Sequence, residues 1–247
     1  MTPAGTERVE GELRVLPVRG IGEIVAGADL AGIIFDACAA GGVTALADGE
    51  VLGVNQTVES KAEDRLEAID FDDPRGHKAI VERESVRILR RRGDLIIAET
   101  EHGWVCANAG IDLSNIEHGY AALLPVDSDR SARRIRDAIR HRHDIDVAVI
   151  VSDTFGRPWR RGLTDVAIGS AGIRPIADLR GSTDSLGREL QVTEVCIVDE
   201  LAAAADLVCG KAAGIPVAVC RGVDPSWLGE GGSQRELPRH PREDLFR

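Results

Sequence analysis

The sequence predicts a mixed α/β fold, in the α/β or α+β class, with mixed sheets and flanking helices. Three observations carry this. Short apolar runs alternate along the chain with stretches of helical spacing. Two of those runs, Val147–Val151 and Ile215–Cys220, contain no charged break, as strands covered on both faces do. Aromatic residues supply only 3% of the 247 positions, so the core must be built from Val, Ile, Leu and Ala. One or two domains are expected at this length.

The elements follow in order. Leu13–Val18 reads as a strand. Asp29 is placed to cap a helix carrying Leu30, Ile33, Ile34 and Ala37, which Gly41 and Gly42 end. Glu50–Val54 is a short strand. Over residues 78–92, Ile80, Val81, Ser85, Ile88 and Leu89 share one helical face, and Arg90–Arg92 suits a helix C-terminus. One amphipathic helix is predicted there. Leu95–Ala98 and Trp104–Ala107 are predicted to pair as a hairpin across Glu101, His102 and Gly103. Residues 129–142 form a charged helix with a narrow stripe of Ala132, Ile135 and Ile139. Val147–Val151 is a buried central strand. Val195, Val198, Leu201, Ala205 and Val208 recur at spacings of three and four and predict a core helix. Ile215–Cys220 is a second buried strand. The order of the strands is not readable. After Val223 the chain is rich in Gly and Pro and almost without periodicity. That fits a frayed end, or a loop folded over a site.

Charge excludes whole classes of partner. Lys and Arg total 30 and Asp and Glu 41, a formal net charge of −11. A nucleic-acid partner is excluded in general, because a phosphate backbone needs a basic face. Small anions remain possible at a local site, through bound metal ions or a few basic residues. No membrane span is expected. The longest run without a charge, Ala37–Ala47, is far short of the roughly 20 residues needed. The start, MTPAGTERVEGE, is polar and acidic, unlike a signal peptide. Five cysteines, at positions 38, 106, 196, 209 and 220, form no CxxC pair. Reduced thiols in a cytoplasmic protein are expected.

Chemistry concentrates in three segments. In VAVIVSDTFGRPWRRG a buried strand runs into Ser152, Asp153 and Thr154. An acid at the end of such a strand sits where α/β folds place ligand groups. Asp153 and the Thr154 oxygen can hold a hard divalent cation, and Arg157, Arg160 and Arg161 can take a phosphate or carboxylate. The same residues also make an ordinary turn with solvated arginines. In CANAGIDLSN, Asp112, Ser114 and Asn115 are oxygen-rich, but such residues also cap helices and make Asx-turns. In VNQTVESKAEDR, Gln56, Ser60 and Lys61 follow a strand, and Lys61 can neutralise a phosphate or be a plain surface lysine. Glu194, Asp199 and Glu200 read as acids that complement a helix dipole. No GxxxxGK[ST], GxGxxG after a strand, HExxH or GxSxG occurs. P-loop enzymes, classical dinucleotide dehydrogenases, zinc enzymes and serine hydrolases therefore lose ground.

Taken together, these segments resemble the coenzyme F-420:L-glutamate ligase family, also called F-420-0:γ-glutamyl ligase. LPVRGIGEI, NQTVESKAEDR, HGWVCANAGIDLSN, LLPVDSDRSARRIR, VSDTFGRPWRRGLTDVAIGSAGI, RGSTDSLGRELQVTEVCIVDELAAAADLV, GKAAGIPVAVCRG and the GEGGSQREL tail carry the likeness, in order along nearly the whole chain. The resemblance implies a GTP-dependent enzyme that adds L-glutamate, through a γ-linked amide, to the lactyl-phosphate carboxylate of a deazaflavin precursor, F-420-0. An acyl phosphate is the implied intermediate, with GDP and phosphate released. It implies that Asp112 and Asp153 bind metal and carry catalysis, that Thr154 and Glu230 are further metal contacts, and that Ile21, Gly22, Glu23, Ile24, Gln56, Lys61 and Asn115 contact GTP. Arg157 and Arg160 stand as substrate or phosphate candidates. Two divalent ions, Mg or Mn, and a potassium ion are implied. So is an intertwined homodimer whose protomers each have a groove between two subregions. A single ligase domain over 1–247 is expected, with an active-site tail over 224–247 and no nitroreductase-like flavin domain. Thr57 and Glu59 depart from the family's usual basic pattern at that place. Two other readings remain open: a metal-dependent phosphohydrolase using the same acids, and a non-catalytic deazaflavin or nucleotide carrier.

Overall fold

Alternate side chains of a strand point to opposite faces, and in this protein both faces of the main sheet are covered by helices. The structure, a computed structural model, describes residues 11–70, 72, 73 and 75–244. The polar start, residues 1–10, lies outside the described residues. In chain order the elements are β1 Arg14–Val18, α1 Leu30–Ala40, β2 Val51–Asn55, α2 Gln56–Ala62, β3 Leu66–Ala68, α3 Lys78–Arg83, β4 Ser85–Arg92, β5 Leu95–Thr100, β6 Val105–Ala107, β7 Tyr120–Ala122, α4 Ser128–His143, β8 Ala148–Arg157, β9 Arg160–Ala171, β10 Ile176–Asp178, β11 Glu194–Cys196, α5 Ile197–Cys209, β12 Val217–Arg221 and α6 Ser233–Glu236.

The main sheet runs β1-β12-β2-β8-β9. Only β2 and β8 are parallel; the other neighbours are antiparallel. Leu52, Val54, Val149, Val151, Val217 and Val219 face α1 and α4, against Ile34, Ala132, Ile135 and Ile139. Val51, Ala148, Ile150 and Cys220 face the other way, against Ile197, Val198 and Leu201 of α5. The result is a three-layer mixed α/β architecture with an aliphatic core. Smaller sheets, β4-β5-β6, β3-β7 and β10-β11, lie beside it. All five cysteines are free thiols. Among the described residues, no helix is long and apolar enough to cross a membrane.

Caps fall where the sequence sets them. The Asp29 side chain accepts the Gly32 N–H at the start of α1, and Gly41 closes that helix. Asp127 accepts the Arg130 N–H at the start of α4. The β5–β6 hairpin also forms as expected.

Four expectations need correction. The helix expected over 78–92 stops at Arg83, and Ser85–Arg92 is a strand antiparallel to β5. The Ser85 hydroxyl donates to the Val81 carbonyl at the turn. So short a helix holds little stability of its own, while β5 supplies a full ladder and Arg87 pairs with Glu99 across it at 3.0 Å. Val195 belongs to β11, so α5 begins only at Ile197. The strand at Val147–Val151 runs on through Arg157 and returns as β9, which periodicity did not reveal. Finally, the described part of the Gly- and Pro-rich tail, which has no periodicity in sequence, is packed on β9 and α4. Leu228 bridges to Ile173, and the Gln234 and Arg235 N–H groups donate to Asp129 at 3.1 and 3.2 Å.

Candidate active site

The parallel ladder between β2 and β8 ends at Asn55 and Ser152. Beyond that edge β2 turns into α2, capped by the Asn55 side chain, which accepts the Thr57 N–H at 2.9 Å. The strand β8 continues past its neighbour and carries Asp153 and Thr154 beyond that edge. A cavity of about 290 Å³ opens there. Its walls include Ile21–Ile24 after β1, Lys61 of α2, Asp112, Asn115, Asp165 of β9 and Lys211 after α5.

Asp112 is held by backbone. Its N–H donates to the Ala122 carbonyl at 3.0 Å, and Ala122 returns the bond at 2.9 Å. Its carboxylate accepts from the Ser114 N–H and hydroxyl, both at 2.7 Å, and from the Thr57 hydroxyl at 3.3 Å. Asn115 takes a left-handed conformation, φ 54°. Its amide donates to the Lys211 carbonyl at 3.3 Å, tying two walls of the cavity together. The Lys61 ammonium, largely buried, pairs with the exposed Glu23 carboxylate.

Asp153 is the most perturbed group of the site. Burial pushes its carboxyl up from 3.8 to about 7. The Thr154 N–H, donating to it at 2.7 Å, opposes the rise. The neighbouring Asp112 and Asp165 carboxylates add to the rise, and Lys211 opposes it. The Asp112 charge thus disfavours that of Asp153. The hydroxyls of Thr57 and Ser114 stand beside Asp112, and carboxylates and hydroxyls are the oxygen donors that a hard divalent cation takes.

The structure brings together Ile21, Gly22, Glu23, Ile24, Lys61, Asp112 and Asn115 on the cavity wall, with Asp153 and Thr154 beside them. It does not bring in the rest. Gln56 is turned away and buried; its amide donates to the Leu123 carbonyl at 3.1 Å and fixes α2 from beneath. Arg157 and Arg160 face each other at the exposed tip of the β8–β9 hairpin. Glu230 lines a different cavity, with Asp48, Arg136 and Asp146. Among the described residues, no three acids, histidines or cysteines are grouped to hold a metal by themselves. A three-acid set of Asp112, Asp153 and Glu230 is therefore not assembled within one chain.

Two residues of the site escaped the sequence reading. Asp165 is buried and accepts from the hydroxyls of Ser152, at 2.8 Å, and Thr154. An acid at an inward position of a strand is a usable signal, but the sequence of β9 has no alternation that marks it as a strand. Lys211 donates to the Thr154 hydroxyl. A lone lysine in a Gly-rich loop carries no signal without the fold.

The family model described as F420-0:Gamma-glutamyl ligase matches residues 20–222. The chain belongs to this family. It is 41% identical, over 95% of its length and 99% of the relative, to a coenzyme F420:L-glutamate ligase of Methanothermobacter thermautotrophicus. A protein of the same description from Methanopyrus kandleri is also 41% identical, over 95% of this chain and 98% of the relative. One from Archaeoglobus fulgidus is 38% identical, over 95% and 96%. The matched span of this F420-0:gamma-glutamyl ligase family member runs from just before Ile21 to just after β12. It contains every wall of the cavity at Asp112, and the 224–247 tail lies beyond it.

Proposed function

We propose that the protein is a GTP-dependent ligase that joins the amine of L-glutamate to the lactyl-phosphate carboxylate of F-420-0. The product is a γ-glutamyl amide. The observation that supports the reading is a cavity walled by Asp112 and the largely buried cation Lys61, with Asp153 close enough behind it to feel the Asp112 charge. The relatives, coenzyme F420:L-glutamate ligases, support the deazaflavin and L-glutamate as substrates, and GTP rests on the family resemblance.

A carboxylate and a protonated amine do not condense in water, because oxide is a poor leaving group. An acceptor carboxylate oxygen attacks the γ-phosphorus of GTP, and the bond to the GDP oxygen breaks. The resulting acyl phosphate carries a leaving group. The glutamate amine, having lost a proton, attacks the acyl carbon, and phosphate departs with the bonding electrons. The protein's share is positioning and charge. Lys61 offers its ammonium to phosphate oxygens in place of the Glu23 carboxylate. Asn115 and the backbone of Ile21–Ile24 form the wall against which the nucleotide lies. Asp112 and Asp153 would hold Mg or Mn. Such an ion neutralises charge on the transferred phosphoryl group. A second divalent ion, potassium, a homodimer and a cytoplasmic location belong to the same reading and rest on the resemblance alone.

GDP release, measured with and without F-420-0 and glutamate, tests the reading. Release should need both, and the product should gain the mass of glutamate. Asp153→Asn should lower it by about 100-fold or more while the fold persists. Release that needs neither acceptor would make the protein a phosphohydrolase. No release under any condition would make it a carrier.

A further inference from the structure

The segment from Asp112 to Ile116 is a wall with two sides. Asp112 and Ser114 line the cavity at the β2–β8 edge, while Leu113 and Ile116 line a second cavity of about 480 Å³. Asn115 lines both. The first cavity, about 290 Å³, is at the small end of the roughly 300–1,000 Å³ that small-molecule sites span. Three substrates have to meet beside it. The backbone around the second cavity is tied down. The Ile69 N–H donates to the Gly119 carbonyl at 2.8 Å, and the Tyr120 N–H to the Glu117 carbonyl at 3.1 Å. The antiparallel pair β3–β7 continues from there.

The two cavities differ in charge. Lys61 stands on the first. Among the described residues no lysine or arginine lines the second, whereas Asp70, Asp73 and Glu117 do, so a phosphate is disfavoured there. Ile69, Leu113, Ile116 and Tyr120 supply apolar surface, and Leu113 and Tyr120 leave much of theirs exposed to solvent. Tyr120 is the single tyrosine of a chain with only 3% aromatic residues. Its ring face suits a flat aromatic partner. The carboxylates and the His77 ring can pair with an edge of N–H and C=O groups.

We propose that this second cavity is the acceptor subsite, which takes the planar ring system of the deazaflavin while its lactyl-phosphate end passes Asn115 toward Asp112 and Lys61. The inference rests on the ligase reading and adds to it the place of the acceptor. Burying a flat ring against Leu113, Ile116 and Tyr120 removes apolar surface of both partners from water. The carboxylates of the second cavity turn the phosphate away from it, toward the Lys61 side. Charge thus sets the direction in which the acceptor lies, with its ring in one cavity and its carboxylate at the other.

The test measures binding to the full-length protein. F-420-0, and the same deazaflavin without its lactyl phosphate, are followed by the anisotropy of their own fluorescence; GDP with Mn2+ is followed by calorimetry. The wild type should hold both deazaflavins. Tyr120→Ala and Leu113→Ala should each weaken both by about 10-fold and raise the KM for F-420-0 as much, with GDP binding unchanged. Tyr120→Phe keeps the ring face and should stay near wild type. The proposal is overturned if both Ala variants hold the deazaflavins as tightly as the wild type does. It is also overturned if the wild type needs the lactyl phosphate to bind at all, or if GDP binding falls in the variants, which would give the cavity to the guanine ring. The ligase reading fails separately. Deazaflavin binding that the variants weaken, without GDP release, keeps the subsite and removes the ligase. GDP release that needs both acceptors, with an unchanged KM in the variants, keeps the ligase and removes the subsite. If the wild type binds neither deazaflavin, both fall.

Discussion

The carboxylate of Asp199 accepts the backbone N–H of Ala167 at 2.9 Å. The register of β8 and β9 slips at this point, from Val151 opposite Gly169 to Ser152 opposite Ala167. Ile168 is the extra residue, and a bulge of this kind leaves backbone groups out of the ladder. The first turn of α5 supplies the missing acceptor. Asp199→Ala should therefore cost about 1–3 kcal/mol in a thermal or denaturant melt. Glu200→Ala, exposed in the same turn, should stay within about 0.5 kcal/mol. Equal losses would mean that both acids act only through the helix dipole.

Gly53 is the point where α5 touches the sheet. A Cβ placed there would lie 2.8 Å from the Cβ of Ala205. Gly53→Ala should destabilise the protein by about 1–3 kcal/mol through overpacking. Adding Ala205→Gly should relieve the clash, leaving roughly the 1 kcal/mol cost of glycine in a helix. Simple additivity of the two losses in urea melts would show that the contact does not limit the approach.

Glu59 gives the stability a pH dependence. It is buried, and one of its carboxyl oxygens has no hydrogen-bond partner. Burial lifts its pKa from 4.5 to about 7; the Glu63 carboxylate adds to the rise and Arg134 opposes it. Below 4.5 the folded and unfolded forms are both protonated. Between 4.5 and about 7 the unfolded chain ionises first, so folding loses free energy as pH rises. Compared with Glu59→Gln, the wild type should lose on the order of 2 kcal/mol across that window and stay lower at pH 8. Parallel stability curves for the two proteins would contradict this.

Arg221 and Glu50 form an ion pair whose side chains are only 7% and 5% exposed. Arg221 also donates to the carbonyls of Val43 and Ala45, at 3.2 and 3.1 Å, pinning the loop before β2 to β12. Arg221→Met should cost about 3–5 kcal/mol, because it leaves the Glu50 charge buried without its partner. Combining it with Glu50→Gln should recover part of that loss in a denaturant melt. A single variant as stable as the wild type would show that water reaches the carboxylate.

Local patterning determined much of this protein. Unbroken runs such as Val147–Val151, the cap at Asp29 and the stripe Ala132–Ile135–Ile139 are written in neighbouring residues, so the sequence exposes them directly. The acid Asp153 could also be singled out, since it follows a run that a strand must bury, whereas Asp112 stood out only through the family resemblance. Tertiary structure decided the rest, because those outcomes depend on partners far along the chain. Residues 85–92 have helical spacing, but β5 offers them a ladder, and the ladder wins. Gln56 stands in the same segment as Lys61 and shares its polarity. The Leu123 carbonyl draws Gln56 under α2, while Lys61 faces the cavity. Glu230 follows Leu228 onto Ile173, away from Asp112. Lys211 has no local pattern at all. It became part of the site only when α5 ended beside β8 and its ammonium met the hydroxyl of Thr154, a contact between residues that sequence spacing does not record.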